Sequence, residues 1–215
     1  MLNFANDFSK AEALFKQEKF AQAKLIFEKI IKEQPTNYKA IEYLGDIAGH
    51  FKKWDEALTY YEKLKKSDAK NANYHFKFGG VLGMKARDGS RFAALGLLDD
   101  VEKAFLTAIT LDPKHVDARW ALVEFYLQVP GILGGSEKKA QKYADELRAI
   151  SPVDGYLARG YIQEYFGRYL KAEPEYKKAF EIGQSQTTYQ KLYNLYKNKL
   201  SQSKKAAALK LSFEK

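Results

Sequence analysis

The chain repeats itself with a period of 34 residues. The pair Ala23-x3-Phe27 returns 34 positions later as Ala57-x3-Tyr61, and Ala140-x3-Ala144 and Ala172-x3-Tyr176 keep the same beat further along. Pro35, Pro113 and Pro152 each close an apolar-periodic stretch. A period of this length restricts the chain to one supersecondary unit used several times over. A unit that cannot bury its apolar face alone buries it against its neighbours. Within the unit the apolar residues fall three and four apart. Ile41, Leu44 and Ala48 make one such stripe, and Ala57, Tyr61 and Leu64 make a second, so the unit reads as two amphipathic helices. Gly45 and Ala57 are small where the stripes meet, which lets the two helices approach closely.

Leu44-Gly45 sets a large residue beside a small one, and Phe105 to Pro113 (FLTAITLDP) has the form of a unit's end. With the Ala-x3-aromatic pairs and the prolines, these residues resemble the tetratricopeptide repeat, a 34-residue helix–turn–helix with the pattern W-x2-LG-x2-Y…A-x3-F…P. The resemblance runs over nearly the whole chain and is strongest in the first two units. It implies an all-α fold, a right-handed α-solenoid of about six helix pairs forming a single domain over residues 1–215. The units read as 4–37, 38–71, 73–115, 116–154 and 155–185, with a terminal pair over 186–214. The third carries ten extra residues, within 85–100, and the fourth carries five, within 129–136. The turn into the fifth is two residues short.

Composition narrows the chemistry. The 215 residues include no cysteine, which removes disulfides, thiolate zinc sites and cysteine nucleophiles together. The three histidines, His50, His75 and His115, fall on three different repeat segments. Neither H-E-x-x-H nor G-x-S-x-G occurs. Asp99 and Asp100 are adjacent carboxylates at an expected helix start, where the helix dipole favours them. No catalytic residue, metal site or cofactor is therefore expected. No stretch approaches the ~18–20 uninterrupted apolar residues of a membrane span. Met1-Leu2-Asn3-Phe4-Ala5 is too short for a full signal peptide and lacks its basic start; it reads as a frayed end, or as the stub of a trimmed signal peptide, since Phe4-Ala5-Asn6 offers a small residue as a cleavage site would.

Each insertion has its own logic. Asp88-Gly89 signals a turn and Ser90 an N-cap, after which the chain can run as one long helix to Leu111. The early part, 92–98, is apolar and reads either as a lid on its own repeat or as a surface for self-association. In the second insertion Pro130 stops a helix, Gly134 and Gly135 allow a bend, and Ser136 caps the next helix. The lysine of a phosphate-binding loop is missing after Gly135, so a structural bend is the better reading than an anion site. The run from Leu111-Asp112-Pro113 through Pro130-Gly131 and Gly134-Gly135-Ser136 to Ala140 looks like a subgroup of bacterial tetratricopeptide proteins. Many of those are exported, so the resemblance favours the bacterial envelope over the cytoplasm.

The resemblance also says where a partner would sit. In the family, residues two, five, six, nine and thirteen of the first helix face the groove. They correspond here to Lys39, Glu42, Tyr43, Asp46 and His50, then Tyr74, Lys77, Phe78 and Val81, then Trp120 and Glu124, with Trp120 reading equally as a core ring because a register one residue over puts it inside. Aromatic rings flanked by charges of both signs suit an extended peptide or a helix. The Lys/Asn clamp that some family members use on C-terminal carboxylates is absent, because Phe8, Glu12 and Tyr43 stand at its positions. The expected function is a non-enzymatic scaffold that holds a protein or peptide in its concave groove.

The alternative is an anionic polymer such as nucleic acid. Residues 1–181 hold 29 basic and 26 acidic side chains, whereas 182–215 hold seven basic and one acidic. Lys197, Lys199, Lys204 and Lys205 lie near Tyr189, Tyr193 and Tyr196, as single-stranded nucleic acid would favour. A solvated end-helix accounts for the same lysines, and the stretch has no arginine for base readout.

Overall fold

A computed structural model of the chain describes residues 4–214. Met1-Leu2-Asn3, the opening of the stretch weighed above as a signal peptide, lies outside the described residues. Helices, and no strand, occur among those described. In order they are α1 (Phe4–Lys16), α2 (Phe20–Glu33), α3 (Tyr38–His50), α4 (Trp54–Ser67), α5 (Ala72–Asp88), α6 (Arg91–Leu95), α7 (Leu98–Leu111), α8 (Val116–Gln128), α9 (Glu137–Ile150), α10 (Pro152–Tyr165), α11 (Tyr169–Gly183), α12 (Gln186–Asn194) and α13 (Ser203–Phe213). They pair as α1/α2, α3/α4, α5/α7, α8/α9, α10/α11 and α12/α13, with α6 inside the third pair. The first helix of a pair is called A below and the second B. The chain forms two compact units, residues 1–113 and 114–215, of three pairs each.

In the first unit, polar caps and left-handed turns set the helix ends. Asn37 and Asn71, 34 residues apart, are the N-caps of α3 and α5; their side chains accept from the N–H of Ala40 and from those of Asn73 and Tyr74. Helices α1 and α3 close on Glu18 and Lys52, at φ 59° and 56°. The next N–H then reaches back into the helix, from Lys19 to the Leu14 carbonyl and from Lys53 to the Ala48 carbonyl, each at 2.9 Å. This is the Schellman closure, which satisfies carbonyls that the helix leaves without donors.

Helix α3 is buried on two sides. Ala40, Leu44 and Ile47 pack with Phe27 and Ile30 of α2, while Ile41 and Ala48 pack with Ala57, Tyr61 and Leu64 of α4. The stripe read from sequence thus divides between two neighbours, as a helix in the middle of an array requires.

The single long helix expected from Ser90 to Leu111 is instead two. Ser90 does cap, accepting from the Ala93 N–H at 3.3 Å. The Leu97 N–H then closes on the Ala94 carbonyl at 2.9 Å, a tighter turn that ends α6 at Gly96, a residue whose backbone freedom disfavours helix. Asp99 and Asp100 occupy the first turn of α7.

In the second unit α8 stops two residues before Pro130, and Ser136 caps α9 by accepting from the Lys139 N–H at 3.2 Å. Ser151 alone links α9 to α10, where residues 34–37 link α2 to α3, so the missing residues of the fifth unit come out of this connection. Gly155 makes the short link feasible, because a Cβ there would run into the backbone of Arg148. Beyond α12 the chain widens into a π-helix, Leu195–Lys199. Helix α13 packs back through Ala206 and Leu209 onto a core with Tyr176, Leu192 and Leu195.

Candidate functional site

A contact between an A-helix glycine and a B-helix ring sets the register of the second, third and fifth pairs. A Cβ added to Gly45 would lie 2.9 Å from the Tyr61 ring, and one added to Gly160 would overlap the Tyr176 ring. Both rings are buried. Their hydroxyls emerge on the A helix, where Tyr61 donates to Asp46 and Tyr176 donates to Glu164. Sixteen residues separate glycine from tyrosine in both pairs, and the buried Ala11 and Phe27 repeat that spacing in the first. In the third pair Gly79 meets Phe105, ten residues further on because of the insertion.

Gly79 follows Gly45 by 34 residues, so Asn73, Phe76, Lys77 and Gly80 of α5 are the equivalents of Lys39, Glu42, Tyr43 and Asp46 of α3. The series Tyr74, Lys77, Phe78 and Val81 expected from sequence runs one residue late after Asn73. Val81 is consequently buried, packing with Ile41, Ala48, Ala57 and Tyr61. Tyr74 and Phe78 are partly buried against the same cluster, and the Lys65 ammonium stands 3.6 Å over the Phe78 ring.

In the first unit the charged positions are bound to one another. Lys77 Nζ donates to Glu42 Oε1 at 2.9 Å and to Asp46 Oδ2 at 2.7 Å, and Lys39 Nζ donates to Glu42 Oε2 at 2.9 Å. Glu42 is 8% exposed. Burial would raise its pKa, but the hydrogen bonds from Lys77 and Lys39 outweigh burial and hold it below the ordinary value. The same opposition, resolved by Asp46 and Glu42, keeps Lys77 above its ordinary value. Two ammonium groups thus answer two carboxylates across adjacent A helices.

Tyr43 is braced as well. Its ring stacks on Phe27 at 4.8 Å and 7°, and meets Phe8 and Phe15 edge-on at 6.1 and 4.8 Å. Its hydroxyl donates to Glu12 Oε1 at 2.6 Å. Burial and that carboxylate push the phenol up to about 12. His50 lies against Phe20, with ring centroids 4.0 Å apart.

In the second unit Trp120 Nε1 donates to Asp154 Oδ1 at 2.9 Å, and the other oxygen of Asp154 accepts from the Ser151 hydroxyl. The Trp120 and Tyr161 centroids are 6.4 Å apart, and Lys191 stands 5.6 Å over Tyr161. Burial, and then Glu124, raise the Tyr161 phenol. The A helices α8, α10 and α12 therefore bring Trp120, Glu124, Tyr161 and Lys191 together. Tyr161 and Asp154 were not legible as neighbours of Trp120 while the fifth pair's register stayed open, and Lys191 lies in the sixth pair, for which no A-helix face residues were read. The sixteen-residue spacing of Gly160 and Tyr176, matched to Gly45 and Tyr61, is the signal that sets it.

The remaining candidates have structural partners. His115 caps α8, its Nδ1 accepting from the Ala118 N–H at 3.3 Å, and His75 Nε2 lies 2.9 Å from the Ala69 carbonyl. At the basic end Lys197 stands over Tyr193, Lys199 over Tyr169, and Lys205 over Tyr196 while pairing with Glu173. Tyr189 stacks on Phe213 at 4.3 Å. Among the described residues, no group of three or more His, Asp or Glu could hold a metal ion, and no helix is long and apolar enough to cross a membrane.

Residues 8–72 match a family model for the tetratricopeptide repeat. No curated protein matches the sequence significantly. Solved structures do resemble it. A thermophilic tetratricopeptide-repeat protein of Thermus thermophilus, TTC0263, superposes with a TM-score of 0.68 at 17% identity, over 97% of this chain and 99% of that one. PilW, a type IV pilus biogenesis factor, gives 0.68 at 15% identity over 98% and 92%. YrrB, described as a tetratricopeptide-repeat protein with an unusual peptide-binding site, gives 0.54 at 16% identity over 85% and 87%. At such identities the likeness speaks to the fold. The Ala-x3-aromatic period, the glycine-to-ring packing and these matches agree: the chain carries the fold of tetratricopeptide-repeat proteins along its length, and residues 8–72 match that family's model.

Proposed function

We propose that the chain is a non-enzymatic scaffold that holds a peptide or protein segment along the A-helix face of its repeats. The observation that carries this is pre-organisation. Trp120, Tyr161 and Tyr43 are rings on A helices whose positions are held before any partner arrives, by Asp154, Lys191 and Glu12 respectively. Rings that are already ordered cost little further entropy on binding, and aromatic anchors contribute most of the energy of protein interfaces. Exposed Lys39 flanks Tyr43 in the first unit, with His50 at the end of the same helix, and exposed Glu124 flanks Trp120 in the second. Glu42, Asp46 and Lys77 keep the A helices in register.

A peptide library panned on the full chain tests the reading. Selected peptides should bind with an affinity that falls about tenfold or more in Trp120→Ala/Tyr161→Ala and depends weakly on salt. Equal binding by the double variant would sink the proposal. The anionic-polymer alternative predicts a steep loss with salt instead. It is disfavoured because Tyr193 and Tyr196, the rings that would stack on bases, already carry Lys197 and Lys205. The same scaffold reading gives residues 92–98 a part in self-association, since Phe92 is 89% exposed. Deleting 88–98 should then lower the mass seen by light scattering.

A further inference from the structure

One edge of the second unit carries an apolar point. The segment between α8 and α9 passes through a 3-10 turn, Gly131–Leu133, and Ile132 at its apex is 94% exposed. The segment is held in place by its backbone. Leu133 and Gly135 both donate to the Pro130 carbonyl, at 2.8 and 3.1 Å, and the Ser136 N–H donates to the Tyr126 carbonyl at 2.9 Å. Gly135 fits so closely beneath the turn that a Cβ would run into the Val129 carbonyl. Ile132 is thus presented to solvent on a rigid knuckle.

The turn between α10 and α11 shares this edge, because Arg168 Nη2 in it donates to Glu137 Oε2 on the first turn of α9 at 2.6 Å. That turn exposes Phe166, and the start of α11 exposes Leu170 at 72%. Cations surround the apolar residues. Lys138 and Lys171 are exposed, and the Arg168 guanidinium stands 4.6 Å from the Phe166 ring.

We propose that this edge docks on an anionic lipid bilayer, with Ile132 entering the interface and Lys138 and Lys171 lying at the headgroup phosphates. Apolar points flanked by long cationic side chains partition this way, the hydrocarbon into the acyl boundary and the charged heads among the phosphates. The positive rim complements an anionic leaflet.

Co-sedimentation of the full chain with vesicles tests the proposal, using phosphatidylcholine alone and phosphatidylcholine mixed with phosphatidylglycerol. The chain should sediment with the mixed vesicles. Ile132→Asp should weaken that binding by about tenfold with an unchanged circular dichroism spectrum, and Lys138→Ala/Lys171→Ala should weaken it and flatten its salt dependence. Tryptophan emission of Ile132→Trp should shift to the blue on mixed vesicles. No sedimentation with either vesicle overturns the proposal. So does binding that survives Ile132→Asp but is lost in Lys197→Ala/Lys199→Ala/Lys204→Ala. A protein partner that depends on Ile132, with no vesicle binding, would assign the edge to that protein and overturn it equally.

Discussion

Tyr61 lies against the bare Cα of Gly45 and donates its hydroxyl to the adjoining Asp46. One ring therefore does two things: its face sets how closely α4 approaches α3, and its hydroxyl reaches through to the Asp46 carboxylate that Lys77 also holds. Tyr176 and Gly160 repeat the arrangement in the second unit, with Glu164 as acceptor.

Two neighbouring glycines of α3 should respond in opposite directions to one added methyl. Gly45→Ala would place a carbon 2.9 Å from the Tyr61 ring, and is expected to destabilise by about 1–3 kcal/mol through overpacking. Gly49 has nothing within 4 Å of its added Cβ. Gly49→Ala should stabilise by about 0.5–1 kcal/mol, through helix propensity alone. Urea denaturation of the two variants reads the sign directly. A stabilising Gly45→Ala would mean that the ring does not set the helix spacing.

The repeat, the helix pairs and most of the core were legible in the sequence, because period and stripe are local properties. Ile41, Leu44, Ala48, Ala57, Tyr61 and Leu64 are all buried as their spacing implies. Register was harder to read. The second pair ends on Ala69 where the first ends on Pro35, and the series expected on α5 slipped by one, which placed the interior Val81 on the surface. Asn71, standing 34 residues after the N-cap Asn37, carries the information that corrects it. The bonds from Lys77 to Glu42 and Asp46 span 35 and 31 residues, so no single-helix pattern reveals them. They follow only once α3 and α5 are side by side.

Lys77 should matter to folding more than to charge balance. Lys77→Met keeps the stem but leaves Asp46 without its ammonium and Glu42 with Lys39 alone. It is expected to cost about 1–3 kcal/mol, less than a fully buried pair because water still reaches part of the site. Adding Glu42→Gln and Asp46→Asn should recover much of the loss, and a double-mutant cycle by urea denaturation measures the coupling.

The same network sets a pH window. Glu42 has its pKa lowered from 4.5 by folding, so its contribution is present above that value and is lost as pH falls through the folded pKa. Lys77 is raised from 10.5, so its contribution is complete below that value and is lost as pH rises through the folded pKa. The melting temperature of the wild type should therefore drop at both extremes. In Lys77→Met the alkaline part of that drop should shrink, and an unchanged alkaline limb would show that Lys77 does not couple to folding.

Tyr43 separates packing from hydrogen bonding. Tyr43→Phe loses only the bond to Glu12 and should cost about 1 kcal/mol. Tyr43→Ala also removes the ring stacked on Phe27 and should cost about 3–5 kcal/mol. Chemical denaturation distinguishes the two. Equal effects would place the ring outside the core.

The left-handed turn residues offer a gain in stability. Glu18, Lys52 and Gly167 occupy equivalent positions between A and B helices, at φ 59°, 56° and 69°. Gly167 adopts this conformation without strain, whereas a side chain there crowds its own backbone. Glycine also loses more freedom on folding, which offsets part of the benefit. Lys52→Gly gives up an exposed ion pair with Asp88 at 3.8 Å, which at that exposure contributes little. The net expectation for Lys52→Gly and for Glu18→Gly is a gain of about 0.5–1 kcal/mol each, additive because the two turns lie in different helix pairs. Thermal melting of the single and double variants measures it, and a loss in either single variant would mean that its side chain has a role in the turn beyond tolerating the left-handed backbone.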